Sequence, residues 1–558
     1  MNTKHDGVRA SAPGIEVKTF WVDSLPIIND ILGRSRLRDF LDDYLRKPSR
    51  APTVPYPEMI LTLVRNILLS REPMYGVGDW AKKYAPDLLE LSSHQIHSLN
   101  DDRVGRCLDV IFHADYSSLL VAFMTHVVRE FEVTVEELHN DSTPVTFTGK
   151  YEEASTPHKQ GEKQTLAITR SHGKTRHPHL KQLLFILTTS RDEGLPLHFR
   201  AADGNASDSV THVDSWEMLC QIAGRRDFLY VADAKLASTK NMKHIDSHGG
   251  RFVTVLPRTR RECGEFRKRV IESSVEWKKV HRRSRPGGGE NEFRCCSDEI
   301  TTEDGYQLLW FHSTAKEKAD ANVRKKAVKQ TEQSLEDLRD KLASPKTRYR
   351  EKNRIQQVVD RLLKRRSIRG LFCVEITSKE DPSRENSKRR RYDLDYEIDE
   401  EEVARQVRAD GLFPLVTNDR SMSPQEVLLA HKRQPVIEKR FAQLKSGFEV
   451  SPVFLKTARR IEGLLCTYFF AMLIQVLVQR EARQRMRERA IESMPLYHED
   501  RASKQPSSTL LFKALSGILR HTVRHSEGEN EMVTELDRAQ RQVVELYGFA
   551  PESYGRSS

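Results

Sequence analysis

Six short runs rich in β-branched and aromatic residues follow one another after about residue 133: Val133–Phe147, Thr165–Thr169, Leu183–Thr189, Leu195–Ala201, Phe228–Ala232 and Phe252–Leu256. Runs of this length and composition predict strands. Thr211–Ala223 and Ser238–Ser247 read as helices, so closely spaced strands lead into alternating strand and helix. That order suits a mixed α/β core.

The chain before this core has a different texture. Leu37, Phe40, Leu41, Tyr44 and Leu45 repeat at helical spacing, as do Met59, Ile60, Leu63, Val64, Ile67 and Leu68, and Leu108–Val128 makes a third stripe. Residues 1–14 are expected to be a disordered start, and residues 15–130 a compact, mainly helical domain with one strand candidate, Ile15–Val22. The first part of the core occupies 131–257. Residues 258–410 are rich in charge and read as an inserted α+β domain. Its two long helices, carrying Leu335, Leu338 and Leu342, then Ile355, Val359 and Leu362, break at Ser344-Pro345 and form a hairpin. Strand candidates Gln307–His312 and Leu371–Ile376 flank them, and Arg384–Arg391 reads as a solvated loop. The core resumes over 411–483 with a strand at Leu412–Val416 and helices from Pro424 to Arg483. A polar, helix-rich tail follows, 484–558.

Bulk properties narrow the partners. At 558 residues the chain has room for several folded units. Lys plus Arg outnumber Asp plus Glu by 91 to 80 and the pI is about 9.1, which favours a polyanionic partner. The longest apolar run, Leu464–Val478, is interrupted by Gln475 and falls short of the about 20 residues that a membrane span needs, so no membrane partner is expected. Seven scattered cysteines without CxxC spacing read as reduced thiols, as in a cytoplasmic protein.

Three carboxylates stand out by context. Asp141 interrupts a strand run, where Asp has poor propensity and no glycine turn excuses it. Asp233 closes the apolar strand Phe228–Ala232, although a strand-end acid before Ser238 also suits a helix cap. Glu438 lies on a helix whose Ile437, Phe441, Leu444 and Phe448 form the apolar stripe, with Lys445 two turns further on. Two strand acids and a helix acid can hold a pair of divalent ions about 3.5–4 Å apart, the arrangement that serves phosphodiester chemistry.

Those residues carry a family resemblance. The chain resembles the bacterial insertion-sequence transposases of the DDE class. Leu99-Asn100-Asp101-Asp102-Arg103-Val104-Gly105-Arg106-Cys107-Leu108-Asp109 is family-like. Asp141-Ser142-Thr143 resembles the first-aspartate strand, and Leu180 through Asp203-Gly204-Asn205-Ala206-Ser207-Asp208 the strands and turn after it. Phe228–Asp233 resembles the second-aspartate strand. Ile437-Glu438-Lys439-Arg440-Phe441 through Ser446, with Val450–Phe454, is similar to the glutamate helix.

The resemblance implies a ribonuclease H-like mixed-sheet core with an insertion between the second Asp and the Glu. It further implies catalysis and metal binding by Asp141, Asp233 and Glu438, with Mg2+ as cofactor and Mn2+ able to substitute. The partners it implies are the terminal inverted repeats and target sites of double-stranded DNA, engaged by a dimer. The N-terminal helical region would help to bind the element ends, and Lys445 and Arg440 are candidate DNA contacts. One branch of the family places Tyr seven and Arg four residues before the Glu. Here those positions hold His431 and Gln434, with Pro435 between them and Glu438, so no DNA contact or hairpin intermediate is carried over. Tyr349-Arg350-Glu351-Lys352 has the right letters at the wrong spacing, within a charged helix.

Rival readings are a nuclease of the same fold that cuts without joining, a non-catalytic DNA-binding protein, and a basic structural protein. The clusters Arg258–Arg269 and Lys278–Arg285, with Trp277 between them, could grip DNA backbone or form a solvated loop. His172, His177 and His179 lack zinc-site companions and read as a loop. Trp310 and Phe311 are expected to fill a small core rather than stack on a base.

Overall fold

A computed structural model describes residues 16–147, 151, 154–160, 163–170, 180–206, 211–284, 289–344, 346–380, 390–447, 455–497, 501–525 and 528–556. His172, His177, His179, Ser207, Asp208, Pro286, Pro345, the stretch from Arg384 to Arg389, Phe448 and Val450–Phe454 lie outside these residues. The chain divides into two compact units, residues 1–251 with 432–558, and residues 252–431.

In the first unit, β1 (Glu16–Trp21) leads to the helices α1 (Leu25–Ser35), α2 (Leu37–Tyr44), α3 (Tyr56–Leu69), α4 (Asp101–His113) and α5 (Tyr116–Glu130). The helix starts follow local chemistry. Asn100 accepts the Arg103 N–H at 2.9 Å to cap α4, and the Asp115 carboxylate caps α5. Within the family-like segment 99–109, Asn100 caps the helix and Val104, Cys107 and Leu108 are buried.

The sheet is built from β2 (Glu137–Phe147), β3 (Lys181–Ser190), β4 (Pro196–Asp203) and, after helix α6 (Thr211–Ala223), β5 (Leu229–Ala232). β2 runs antiparallel to β3 and β3 to β4, whereas β5 joins the other side of β2 in parallel. Three antiparallel strands with a fourth parallel to the first form the expected ribonuclease H-like mixed sheet. Of the expected strand Thr165–Thr169, only Thr169 is in a ladder, paired with Gln182. α7 (Thr239–Ser247) follows β5 and is capped by Ser238, which accepts the Asn241 N–H.

The same unit receives α8 (Pro435–Ala442) and the 31-residue α9 (Ala458–Glu488). At about 1.5 Å per residue α9 is long and apolar enough to cross a membrane, longer than the apolar run alone suggested. Protein covers it instead: it packs on α1, α3, α4 and β4, and Phe470 meets Phe123 edge to face at 5.6 Å. Close approach to α4 is possible because residue 463 is glycine; a Cβ there would lie 2.5 Å from the Leu108 carbonyl oxygen. Beside that contact Asp109 pairs with Arg459 and Arg460 at 2.7 and 3.0 Å.

The tail departs from the helix-rich expectation. Between α10 (Ser508–Ala514) and α11 (Arg538–Leu546) lies a hairpin, β6 (Leu519–His525) and β7 (Gly528–Val533). β6 pairs antiparallel with β1, so the two ends of the chain share one sheet. Sequence texture missed the hairpin because its strands, Leu-Arg-His-Thr-Val-Arg-His and Gly-Glu-Asn-Glu-Met-Val, are mostly polar and charged.

In the second unit antiparallel strands follow one another in the order Trp277–Ser284, Glu290–Cys296, Gln307–Ser313, Leu412–Thr417 and Arg251–Val255. The unit extends beyond the charged stretch at both ends because those last two strands pair with one another. The helices Thr314–Ala343 and Lys352–Leu363 pack together over a core that includes Leu335, Leu338, Ile355 and Val359. Glu351 is the cap of the second helix, so Tyr349 to Glu351 precede it rather than lie within it. Arg390 and Arg391 are strand residues of Arg390–Ile398. Trp310 and Phe311 are buried, Trp310 stacking on Phe266 at 4.2 Å, which fits the core-filling expectation.

Of the two clusters, residues 261–269 lie in the helix Arg261–Glu272 and residues 278–284 in the strand Trp277–Ser284, whereas Arg258 to Arg260 form the turn before the helix and Arg285 lies outside the described residues. Local acceptors engage many of their cations. Arg260 pairs with Glu262 and Asp304, Lys279 and Arg282 with Glu292, Arg269 with Asp298, and Arg267 donates to the carbonyls of Ala409 and Leu412. All seven cysteines are free thiols.

Candidate active site

The parallel ladder between β2 and β5 runs from Glu137↔Leu229 to Asn140↔Ala232. The next residue on each strand is an aspartate, so Asp141 and Asp233 leave the ladder side by side on strands about 4.8 Å apart. β2 continues antiparallel to β3 at this point, where Asp141 faces Leu187, which keeps the conflicting residue in extended backbone. Asp141 accepts the backbone N–H of Ser142 at 2.8 Å and Asp233 that of Lys235 at 3.0 Å. Asp233 is not the cap of α7, since Ser238 fills that place.

α8 packs across β2 and β3 and presents Glu438 on its exposed side. The three acids act on each other. Burial, then the negative charges of Asp233 and Glu438, push the Asp141 carboxyl up to about 6, against the pull of the Ser142 N–H and the Lys235 ammonium. Burial also raises Asp233, and it lowers Lys235. Asp141 and Asp233 thus lie just past the ladder on neighbouring strands, and Glu438 lies near enough for its charge to reach Asp141.

A charged network under the site was not anticipated. Alternation along β2 puts Glu137, His139 and Asp141 on one face. Glu137 is buried, accepts from His139 Nε2 at 2.9 Å and receives both guanidinium arms of Arg433 at 2.5 Å. Burial alone would raise the Glu137 carboxyl, but the bonds and charges of His139 and Arg433 carry it down to about 2. Arg433 lies just before α8, so this pair ties the Glu438 helix to the Asp141 strand. The available clue was an acid at position i−4 of Asp141 on the same strand face.

Arg440 is corrected by the structure. It is only 9% exposed and donates to the carbonyls of Gly194 at 3.0 Å and Glu193 at 2.5 Å, and to Gln443 at 2.9 Å. A guanidinium spent on the β3–β4 turn is not offered to DNA. Its spacing gave the warning, since Ile437, Arg440, Phe441 and Leu444 fall at i, i+3, i+4 and i+7, one buried stripe. Lys445 is exposed in the short π-helical turn Gln443–Gly447 after α8.

The donor set fits divalent cations. Three carboxylates supply the hard oxygen ligands that Mg2+-type ions take, and a cation would relieve the repulsion that raises Asp141.

Comparison with known proteins agrees. A family described as "Transposase DDE domain" matches residues 138–474, and "Domain of unknown function (DUF4277)" matches residues 17–125. No curated protein matches the chain significantly. A solved structure of a piggyBac transposase synaptic complex with hairpin DNA is 10% identical, covering 88% of this chain and 78% of its own, with a TM-score of 0.35. DDE transposases work with divalent metal ions, which suits the carboxylates. Since the matched segment spans more than half the chain and runs from the first-aspartate strand past the glutamate helix, the chain belongs to the DDE transposase family and is a DNA transposase.

Proposed function

We propose that this transposase cuts at the ends of its insertion sequence and transfers the freed 3′ ends into target DNA, using Asp141, Asp233 and Glu438 as metal ligands. The observation that carries the reading is the parallel register that sets Asp141 beside Asp233, with Glu438 close enough to shift Asp141. Asp141 feels the charge of both other acids, which suits a shared role in holding the ions. Mg2+ is the proposed metal, with Mn2+ able to substitute. Bound there, such ions supply an acidified water and neutralise charge on the leaving oxygen.

The chain's own residues do the rest. Asp141, pushed only to about 6, is mainly ionised at neutral pH and ready to ligate. Lys235 adds positive charge next to it. Lys445 is proposed to meet a DNA phosphate, being exposed just beyond α8. The second unit offers another phosphate surface: a cleft of about 580 Å³ between the two long helices is lined by Lys341, Lys346, Arg348, Arg354 and Arg361. Reaction at two element ends implies at least a dimer on DNA, and the N-terminal helical region is proposed to help hold those ends. The proposed setting is the bacterial cytoplasm, on the nucleoid.

The test is Mg2+-dependent cleavage and strand transfer on DNA carrying the element's own ends, wild type against Glu438→Gln. Loss of both steps with DNA binding retained supports the proposal. Undiminished activity in Glu438→Gln overturns the ligand set. Cleavage without joining by wild type points to a nuclease, and binding without cleavage to a DNA-binding protein that no longer catalyses.

A further inference from the structure

Away from the carboxylates, Glu217 of α6, His244 of α7 and His248 just beyond α7 bring one ligand atom each to within 4.8 Å of one another. Glu217 Oε1 and His244 Nε2 are 2.9 Å apart, and the two imidazole rings lie 4.3 Å apart, tilted by 31°. His248 Nδ1 is 2.7 Å from the His244 carbonyl oxygen. A carbonyl can only accept, so Nδ1 carries the hydrogen and Nε2 is left with its lone pair. Backbone fixing of one ring nitrogen in this way is how proteins prepare the other to bind a metal. The second oxygen of Glu217 lies 3.5 Å from Arg226, which orients the carboxylate, and buried Trp216 backs both rings at 5.9 and 6.3 Å.

We propose that Glu217, His244 and His248 form a second metal site, of a softer class than the three carboxylates, that takes Zn2+ or another late first-row divalent ion. Two imidazoles and one carboxylate match the ligand preference of those ions and not of Mg2+. A fourth position is left for water. On binding, His244 releases to solvent the Nε2 hydrogen it shares with Glu217 and takes one up at Nδ1, so the ring stays neutral and the three ligand atoms close onto one centre. α6 precedes β5 and α7 follows Asp233, so the ion staples together the two helices on either side of the strand that delivers a catalytic acid. The site rests on its own side chains and not on the proposed reaction.

The experiment is calorimetric titration of the untagged full-length protein with Zn2+, with thermal unfolding in parallel. Co2+ absorption reports the coordination. The expected result is one Zn2+ per chain, a raised melting temperature, and tetrahedral Co2+ bands. His248→Ala, at an exposed helix end, is expected to weaken binding by more than about 100-fold, since even groups that merely orient ligands are worth 10–100-fold. Glu217→Gln, which keeps a hydrogen-bond acceptor for His244, should weaken it too, and both variants should unfold like wild type without metal. Asp141→Asn should bind Zn2+ undiminished. No Zn2+ uptake by wild type, uptake unchanged in both Glu217→Gln and His248→Ala, or uptake lost in Asp141→Asn each overturns the site.

Discussion

Glu462 shows what one buried carboxyl does to this protein. It sits on α9, accepts the Leu166 N–H at 2.9 Å, and is driven by burial to about 7, against the pull of that bond and of Lys163 and with a small push from Asp203. The folded state therefore keeps a proton that the unfolded chain releases near 4.5. The stabilisation this gives is complete below about 4.5 and is lost as pH rises through about 7. Glu462→Gln preserves a neutral acceptor, so its unfolding free energy should fall less than that of wild type from about pH 4.5 to about pH 7, measured by urea unfolding. Identical pH slopes would refute the assignment. At the active site, Asp141→Asn and Glu438→Gln should each lower metal-dependent cleavage by ~10³-fold or more, because a correctly held ion is worth several kcal/mol to the transition state. A residual rate within tenfold of wild type would mean that the residue is not a ligand.

At the scale of elements, the decisive one is α8, a helix of 8 residues that depends on its moorings. Arg433 fastens its start to Glu137 on β2, and Arg440 fastens its middle to the turn between β3 and β4. The same turn is held from α9, by Arg480 on Asp192 and Arg483 on Glu193. Gly194 in that turn has φ +66°, and a Cβ there would lie 2.3 Å from Val436 Cγ1. Gly194→Ala is therefore expected to cost about 1–3 kcal/mol and to displace α8, read as a lower melting temperature together with a fall in kcat. Arg433→Ala leaves the buried Glu137 carboxylate with only His139 and the more distant Arg191 beside it, and should cost up to about 3–5 kcal/mol. Replacing both Glu137 and Arg433 by apolar residues should recover much of that stability but not the rate, if the pair serves to position Glu438. Recovery of both would make it scaffold alone. α8 was readable as a helix from its apolar spacing, whereas its moorings were not, because Glu137 and Arg433 are separated by almost 300 residues.

For the whole molecule, net charge said that a polyanion was a fitting partner but not where it would sit. The cations singled out at 258–285 are largely matched by acids of their own unit, while those of the cleft lined by Lys341, Lys346, Arg348, Arg354 and Arg361 form no ion pairs among the described residues. If that cleft meets DNA backbone, Arg354→Ala with Arg361→Ala should reduce the slope of log K against log salt by up to about 2. The Arg261→Ala change, at a residue paired with Glu265 and Glu303, should leave the slope unaltered. Equal slopes for wild type and the double variant would remove the cleft from the DNA surface.

By itself the sequence determined the kinds of element and the context of each acid. Periodicity is a property of neighbouring residues, so the strands around Asp141 and Asp233 and the helix of Glu438 were all visible in it. The family resemblance rested on these same local patterns. What only the tertiary structure decided was encounter: that β5 joins β2 in parallel with the two aspartates level, that Arg440 turns inward, that β6 completes a sheet with β1, and that Glu217 meets His244 and His248. Each of these joins residues far apart in the chain through registry, packing and hydrogen bonding, which leave no repeat in the sequence. Exposure and partner, rather than residue type, then set which charges are free to act.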